Sequence, residues 1–122
     1  DSSFLEVGCG AGYYSAVTAV TYRATGHRAD RFHYCGVDRS EEMIEMARTL
    51  WHGHTWHAAN GERLFEDLYF RPGKFDLVNL AAVLSHTSDW RKMLAQAAAC
   101  SRRFLLLHRI PIVFDGQERL YR

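Results

Sequence analysis

The chain has 122 residues, of which 48% are hydrophobic and 24% charged, and its formal net charge is +1. This size and composition predict one soluble domain, residues 1–122, with room for a hydrophobic core. So small a net charge gives no electrostatic attraction to nucleic acid or to a membrane surface, and both kinds of partner are disfavoured. The chain also lacks an apolar run of about 18 residues, so no membrane span is predicted.

The three cysteines are spread along the chain at Cys9, Cys35 and Cys100. An odd number of cysteines without a CxxC pair predicts neither a disulfide framework nor a zinc site. Free thiols of this kind are typical of a reducing compartment, which indicates a cytoplasmic protein.

The first predicted strand, Phe4–Val7, leads directly into a turn that contains Gly8, Gly10 and Gly12. A helix is predicted to follow, from about Ala11 to Ala24. Glycine tolerates a positive φ and lets a ligand approach the backbone closely. The amides at the start of the helix then face whatever occupies the turn. The pattern predicts a nucleotide site at the carboxyl edge of a sheet.

Strands and helices alternate through the rest of the sequence. The second strand is predicted at His33–Val37 and ends on Asp38, and Ser40 is a good N-cap for the helix that follows. That helix has one apolar stripe, which is predicted to be buried and consists of Met43, Ile44, Met46, Ala47, Leu50 and Trp51.

A third strand is predicted at His54–Ala58 and a short helix within residues 61–68. The fourth strand is predicted at Phe75–Leu80 and the fifth at Arg103–Leu107. Between them lies an alanine-rich helix over residues 90–101, with Ser88 or Asp89 as its cap. The end of the chain is predicted to hold a short extended segment, Ile110–Phe114, and a turn at residues 115–116.

This alternation predicts an α/β fold, a three-layer sandwich with a mostly parallel sheet and helices on both faces. Ligands bind such sheets at the carboxyl ends of the strands, where the strand order reverses. A dinucleotide turn would read GxGxxG, but Tyr13 stands in place of the third glycine. Glu6 would also repel a pyrophosphate. NAD is therefore disfavoured, whereas a cationic ligand with an amino acid portion is compatible with the carboxylate.

Four segments, in this order, resemble the motifs of class I S-adenosylmethionine-dependent methyltransferases. EVGCGAG followed by a helix resembles the first motif, and GVDRSEEMIEMAR is similar to the second. AANGERL and FDLVNLAAVLSH resemble the third and fourth. The resemblance implies a Rossmann-like domain that uses S-adenosylmethionine to methylate an oxygen, nitrogen or carbon nucleophile. Judged against the family, the domain is expected to be truncated at its N-terminus and after strand five.

The resemblance also implies roles for individual residues. Asp38 would bind the ribose hydroxyls, although it can instead cap the next helix. Asn60 stands where the family has an acid and would accept a hydrogen bond from the adenine amino group. Glu6 would contact the amino group of the cofactor, directly or through water. The remaining cofactor-binding residues implied are Gly8, Cys9, Gly10, Gly12, Arg39, Met43, Gly61, Asn79 and Leu80.

Two of these residues have an alternative explanation in the sequence itself. Met43 would form an apolar wall beside the adenine, and packing in the core is an equal alternative. Cys9 is expected to act as a small residue whose backbone matters, not as a reactive thiol.

His86 follows the fourth strand, on the loop where an acceptor would meet the methyl group. It is the candidate general base, with packing or helix capping as the alternative. His52, His54 and His57 lie close together in sequence but have no acidic neighbour, so no metal site is predicted. The three tryptophans, Trp51, Trp56 and Trp90, are expected to pack and are assigned no function.

The strand-four motif lacks the D/N-P-P-Y pattern of amino-methylating enzymes that act on nucleic-acid bases. A small-molecule acceptor is therefore favoured over nucleic acid. Two other functions stay open. One is a methyltransferase-like module that binds the cofactor or serves assembly without catalysis. The other is an NAD-dependent oxidoreductase, which the glycine spacing disfavours.

Overall fold

The computed structural model describes residues 1–109, and the predicted segment Ile110–Phe114 and turn at residues 115–116 lie outside them. The strands and α-helices of the described part alternate along the chain. They are β1 (Ser2–Val7), α1 (Tyr13–Ala24), β2 (Phe32–Asp38), α2 (Glu41–Leu50), β3 (Thr55–Ala58), β4 (Phe75–Ala81), α3 (Trp90–Cys100) and β5 (Ser101–His108). Three short 3₁₀ helices occupy connections, at Ala29–Arg31, Gly61–Glu66 and Leu84–His86.

The five strands form a single sheet in the order β3-β2-β1-β4-β5, and every neighbouring pair is parallel. The predicted α/β class with a parallel sheet is therefore confirmed. β1 lies at the centre, between β2 and β4. Because the chain moves outward from β1 first on one side and then on the other, the strand order reverses between β1 and β4.

The two faces of the sheet pack differently. The face towards α3 holds the larger core, which includes Leu5, Val7, Val37, Leu64, Val78, Leu80, Ala97 and Cys100. On the opposite face a smaller cluster of Cys9, Tyr34, Ile44, Ala47 and Trp56 lies against α2. Within residues 1–109, α1 contributes one buried side chain, that of Ser15.

The buried stripe of α2 is narrower than predicted. Ile44 and Ala47 are fully buried, but Met43, Met46 and Leu50 are 42%, 48% and 47% exposed. The reason is the position of α2 at one side of the sheet, against β2 and the four-residue edge strand β3. So short an edge strand covers only the two central positions of the apolar stripe.

A side chain caps the N-terminus of α2 and another caps that of α3. The Ser40 hydroxyl accepts a hydrogen bond from the Met43 amide at 3.3 Å, as predicted for α2. At α3 the cap is Asp89, whose carboxylate accepts from the Lys92 amide at 3.1 Å. The short helix predicted within residues 61–68 is a 3₁₀ helix that is broken at Arg63. Over the described residues, no helix is both long and apolar enough to cross a bilayer.

Candidate functional site

A cavity of about 370 Å³ opens at the carboxyl edge of the sheet. Its walls come from the ends of β1 and β2 and from the segments that follow β3 and β4. The lining residues are Val7, Gly8, Val37, Asp38, Arg39, Ala59, Asn60, Gly61, Glu62, Ala81, Ala82, Val83, His86, Thr87 and Met93. The cavity therefore lies where the strand order reverses, the place at which open α/β sheets bind their ligands.

The three glycines of the turn after β1 all have positive φ, but they meet different surroundings. A Cβ on Gly8 would lie 2.5 Å from a methyl group of Val83, and one on Gly12 would lie 2.4 Å from the Trp56 ring. Nothing lies within 4 Å of the corresponding position on Gly10. Gly8 and Gly12 thus allow close packing beneath the turn, whereas the backbone at Gly10 is open to a ligand.

Asp38 connects this turn to the start of α2. Its Oδ2 accepts a hydrogen bond from the Gly10 amide at 3.0 Å, and its Oδ1 accepts from the Ser40 amide at 2.9 Å. The capping alternative is therefore present together with a contact to the glycine turn. Each carboxylate oxygen retains a further lone pair, so both can still accept a hydrogen bond from a ligand hydroxyl.

Asn60 and Gly61 form the wall that follows β3. The Asn60 Oδ1 accepts a hydrogen bond from the Glu62 amide at 2.9 Å, which starts the 3₁₀ helix. A Cβ on Gly61 would lie 2.8 Å from a methyl group of Val7 and 2.9 Å from the Met93 methyl. Glycine is needed here because any side chain would collide with the floor of the cavity.

Glu62 joins this wall to the loop that carries His86. One carboxylate oxygen of Glu62 accepts hydrogen bonds from the Thr87 hydroxyl, from the Ser88 hydroxyl at 2.9 Å and from the Asp89 amide at 2.8 Å. These bonds, led by that from Thr87, lower the pKa of Glu62 to about 2. The carboxylate is therefore ionised at neutral pH and holds two walls of the cavity together.

The loop after β4 begins with a strained residue. Ala82 has a φ of 57°, which is unusual for a residue with a side chain, and its amide donates to the His108 carbonyl at 3.0 Å. Strained backbone of this kind is concentrated at ligand sites. The bend directs the chain towards Val83 and His86, which both line the cavity.

Glu6 lies beneath the turn, in a row of hydrogen-bonded side chains that crosses four strands. Tyr34 Oη donates to Glu6 Oε1 at 2.5 Å, and Asn79 Nδ2 donates to Oε2 at 3.2 Å. Asn79 Oδ1 in turn is 2.9 Å from His108 Nε2. Glu6 is 1% exposed, and its burial raises the pKa to about 7, against the opposing effect of the two hydrogen bonds.

The structure brings together only part of the predicted cofactor-binding set. Gly8, Asp38, Arg39, Asn60 and Gly61 line the cavity, and so does the candidate base His86. The predicted residues that do not line it are Glu6, Cys9, Gly10, Gly12, Met43, Asn79 and Leu80. Gly10 is nevertheless hydrogen-bonded to the cavity residue Asp38.

The positions of the others explain why they lie apart from the cavity. Glu6 and Asn79 point to the sheet face opposite Val7, and the Leu80 side chain is fully buried in the core. Met43 is 42% exposed, so the alternative of core packing is wrong for this residue. Burial raises the pKa of the Cys9 thiol, which keeps it protonated and unreactive. Their contacts with a cofactor stay predictions.

Several cavity residues were not predicted from the sequence, among them Glu62, Val83, Thr87 and Met93. Glu62 directly follows Gly61, and Thr87 directly follows His86. This adjacency to predicted site residues is the one feature of the sequence that could have indicated them. Val83 and Met93 are ordinary apolar residues in the sequence, and they reach the site only through the packing of the loop after β4 and of α3.

The histidines near α2 are separated by their packing. His57 stacks on Tyr69 with ring centroids 4.1 Å apart, and His54 meets the edge of Tyr34 at 5.5 Å. Over residues 1–109, no three ligating side chains lie close enough together to hold a metal ion.

Comparison with known proteins identifies the family of this site. A sequence profile described as "Methyltransferase domain" matches residues 5–103, which run from within β1 into β5 and include all the residues that line the cavity. The chain belongs to this methyltransferase family. Its members use S-adenosylmethionine, which is the cofactor of this methyltransferase domain. Comparison with curated protein sequences gives no significant match.

Solved structures share the fold of the methyltransferase domain at low sequence identity. The YcgJ protein from Bacillus subtilis is 23% identical, with a TM-score of 0.67 over 87% of this chain and 43% of its own. A SAM-dependent methyltransferase from Aquifex aeolicus is 17% identical, with a TM-score of 0.66 over 86% of this chain and 55% of its own.

A possible histamine N-methyltransferase from Thermotoga maritima is 21% identical, with a TM-score of 0.63 over 88% of this chain and 44% of its own. The methyltransferase domain described here thus spans about half the length of these proteins, or less.

Proposed function

We propose that this domain binds S-adenosylmethionine in the cavity at the carboxyl edge and transfers its methyl group to a small-molecule acceptor. The observation that carries the proposal is the position of the cavity, between the glycine turn and Asp38 at the reversal of strand order. An adenosine-containing ligand needs an open backbone turn and a carboxylate that can accept hydrogen bonds from the ribose hydroxyls. Gly10 and Asp38 supply these two features side by side.

The residues present fit such a cofactor. Asp38 would accept hydrogen bonds from the vicinal ribose hydroxyls with the lone pairs that Gly10 and Ser40 leave available. The second lone pair of Asn60 Oδ1 would accept from the adenine amino group. Glu6 would contact the amino group of the cofactor, directly or through water, and a bound cation would favour the ionised form of this buried carboxyl group.

Other predicted contacts complete the proposed site. Arg39 lines the cavity beside Asp38, and Met43 lies on the first turn of α2. The backbones of Gly8, Cys9 and Gly12 would shape the turn around the methionine portion, with Asn79 and Leu80 behind it on β4.

The bound cofactor supplies an electrophilic methyl group, so the residues of this chain chiefly position the two reactants and exclude water. An acceptor that must lose a proton before attack also needs a base near the methyl group. We propose His86 for that role because it lines the cavity on the loop after β4. Glu62 would hold this loop in place through its bonds to Thr87, Ser88 and Asp89.

The proposal of a small-molecule acceptor is supported by the near-neutral charge of the chain and by the absence of the D/N-P-P-Y pattern. The printed description of the Thermotoga maritima neighbour as a possible histamine N-methyltransferase is consistent with an acceptor of this class. We further propose that residues 1–122 act as one domain. Three free, buried cysteines fit a reducing, cytoplasmic location.

The test is a pair of calorimetric titrations, one with S-adenosylhomocysteine and one with NADH. We expect S-adenosylhomocysteine to bind and NADH not to bind. Asp38→Ala should weaken binding of S-adenosylhomocysteine by about 100-fold, because two charge-assisted hydrogen bonds are lost. The control is Asp30→Ala, which removes an exposed carboxylate paired with Arg28 and should leave the affinity unchanged.

Binding of NADH without a response to S-adenosylhomocysteine would overturn the proposed function and favour the oxidoreductase alternative. Methyl transfer itself is measured with radiolabelled S-adenosylmethionine and candidate amine, hydroxyl and carbon acceptors. With an acceptor in hand, His86→Gln should lower kcat for methyl transfer. A methyl-transfer rate independent of His86 would remove the residue from the mechanism. A chain that binds S-adenosylhomocysteine but methylates no acceptor would be a cofactor-binding module.

A further inference from the structure

Trp51 forms a hydrogen bond to the glycine turn from the far end of α2. It is the residue that follows the helix, and its indole Nε1 donates to the Ala11 carbonyl at 2.9 Å. Its Cδ1 also lies 3.0 Å from the position that a Cβ would occupy on Gly12. The indole thus contacts two consecutive residues of the turn, one by a hydrogen bond and the other by close packing.

Trp56 on β3 holds Trp51 in this position. Its Nε1 donates to the Trp51 carbonyl at 3.2 Å, and its side chain is 6% exposed. The Trp56 ring fills the space left by two glycines, since a Cβ on either Gly12 or Gly36 would lie 2.4 Å from it. The partly buried Trp51 side chain packs against the cluster that contains Trp56, and this packing restricts the indole near Ala11.

The turn is therefore held from both ends of α2. Before the helix starts, Asp38 accepts from the amide of Gly10, and after it ends, Trp51 donates to the carbonyl of Ala11. The Gly10 amide and the Ala11 carbonyl belong to neighbouring residues of the turn. Their orientation decides where the open backbone at Gly10 points and how the Asp38 carboxylate faces the cavity.

We propose that Trp51 is a positioning residue for the methyl-donor site. Its indole N–H fixes the Ala11 carbonyl and, through the turn, the Gly10 amide and the Asp38 carboxylate that bind the ligand. This inference rests on the proposed function. A tryptophan that only filled space would work equally well without its N–H group, and the two roles can be separated on that basis.

The variant Trp51→Phe keeps an aromatic ring in place and removes the hydrogen-bond donor. The matched control is Trp90→Phe, since Trp90 is 44% exposed at the start of α3 and lies against the Arg91 guanidinium at 4.4 Å. Affinity for S-adenosylhomocysteine is measured by calorimetry on the wild-type chain and both variants, after circular dichroism has shown that each is folded.

We expect Trp51→Phe to weaken binding of S-adenosylhomocysteine by about 5-fold, the effect of losing one partly buried hydrogen bond. Trp90→Phe should bind as the wild type does. An affinity of Trp51→Phe equal to that of wild type would overturn the inference and leave the proposed function intact. A wild-type chain that does not bind S-adenosylhomocysteine would instead overturn the proposed function.

A second test measures ligand binding on the wild-type chain, in which Trp51 is unchanged. Indole N–H resonances of the ¹⁵N-labelled wild-type chain are assigned with Trp56→Phe and Trp90→Phe, so that Trp51 follows by elimination. Saturating S-adenosylhomocysteine should shift the Trp51 resonance and leave that of Trp90 in place. A Trp51 resonance that does not move on binding would contradict the inference, even if Trp51→Phe cannot be obtained in folded form.

Discussion

Among the carboxylates of residues 1–109, Glu6 has the environment that departs furthest from that of a surface carboxylate. It is 1% exposed and receives hydrogen bonds from two other buried side chains, Tyr34 and Asn79. Burial disfavours the charged form more than these bonds favour it, so the pKa rises from 4.5 to about 7. A group with such a pKa changes its charge near neutrality, and the stability of the fold must then depend on pH.

The sign of that dependence follows from proton linkage. Between about pH 4.5 and pH 7, the folded chain keeps a proton on Glu6 that the unfolded chain has lost. The free energy of unfolding therefore falls as the pH rises through this window, by about 3 kcal/mol for the full shift. Glu6→Gln should remove this contribution, because an amide does not titrate. The measurement is urea unfolding of both chains at pH 5 and pH 8.

Glu66→Gln is the control for that experiment, since Glu66 is an exposed carboxylate. It should lose as much stability between the two pH values as the wild type. If Glu6→Gln loses as much as the wild type too, the carboxylate is ionised throughout the window and the raised pKa is wrong.

Site residues could be predicted from the sequence where a short sequence pattern determines their position in the fold. Asp38 ends a strand and precedes a good N-cap, so its place at the carboxyl edge follows from local order alone. The contact between Trp51 and Ala11 joins residues 40 positions apart and depends on how α2 lies on the sheet. Asn79 and His108 are 29 positions apart and meet only because β4 and β5 are neighbours. Contacts of this kind require the tertiary structure.

At the scale of elements, the predicted order of strands and helices is correct for residues 1–109, with ends that differ by a few residues. The glycine turn and the caps at Ser40 and Asp89 are local signals, and they fixed the helix starts. The stripe on α2 was misjudged because its burial depends on the width of the neighbouring sheet. The break at Arg63 could not be predicted from the local sequence either, because it depends on the burial of Gly61 and Leu64 in the core.

Glu62 is the principal connection between two elements of the site. It belongs to the 3₁₀ helix Gly61–Glu66, and it binds the residues between the 3₁₀ helix Leu84–His86 and α3. Since its pKa is lowered from 4.5 to about 2, its stabilising effect is present above pH 4.5 and is lost as the pH falls through about 2. At neutral pH the loop that carries His86 should therefore be ordered.

Glu62→Gln tests this connection, because a neutral amide oxygen accepts hydrogen bonds more weakly than a carboxylate. We expect the Asp89 amide, which donates to Glu62, to exchange with solvent about 5-fold faster at pH 7. Hydrogen exchange followed by NMR measures this rate. Glu66→Gln, on the same 3₁₀ helix, should leave it unchanged, and an unchanged rate in Glu62→Gln as well would mean that the loop is ordered by other contacts.

At the scale of the whole molecule, the two helical layers are packed unevenly. The side of the sheet under α3 holds the larger core, and α3 itself buries Met93, Ala97 and Cys100. On the other side, α1 buries Ser15 alone among its residues and leaves Val17 and Val20 more than half exposed. The glycine turn leads directly into α1, so the ligand site borders the less firmly packed layer.

The sequence of α1 adds to this difference. It carries four β-branched residues close together, Val17, Thr18, Val20 and Thr21, whereas α3 is rich in alanine. The Thr18 and Thr21 hydroxyls donate to carbonyls one turn earlier, at 2.8 Å and 2.9 Å, an arrangement that slightly weakens a helix. Local opening of α1 should therefore cost less free energy than opening of α3.

Hydrogen exchange at the level of single amides gives the corresponding prediction. In the free chain, the central amides of α1 should exchange at least about 10-fold faster than those of α3. Saturating S-adenosylhomocysteine should slow exchange in α1 much more than in α3, because a ligand that binds the folded turn opposes its opening. Equal exchange rates for the two helices in the free chain would contradict the uneven packing. Equal protection of both helices by the ligand would mean that the site is coupled to global unfolding, not to the opening of α1.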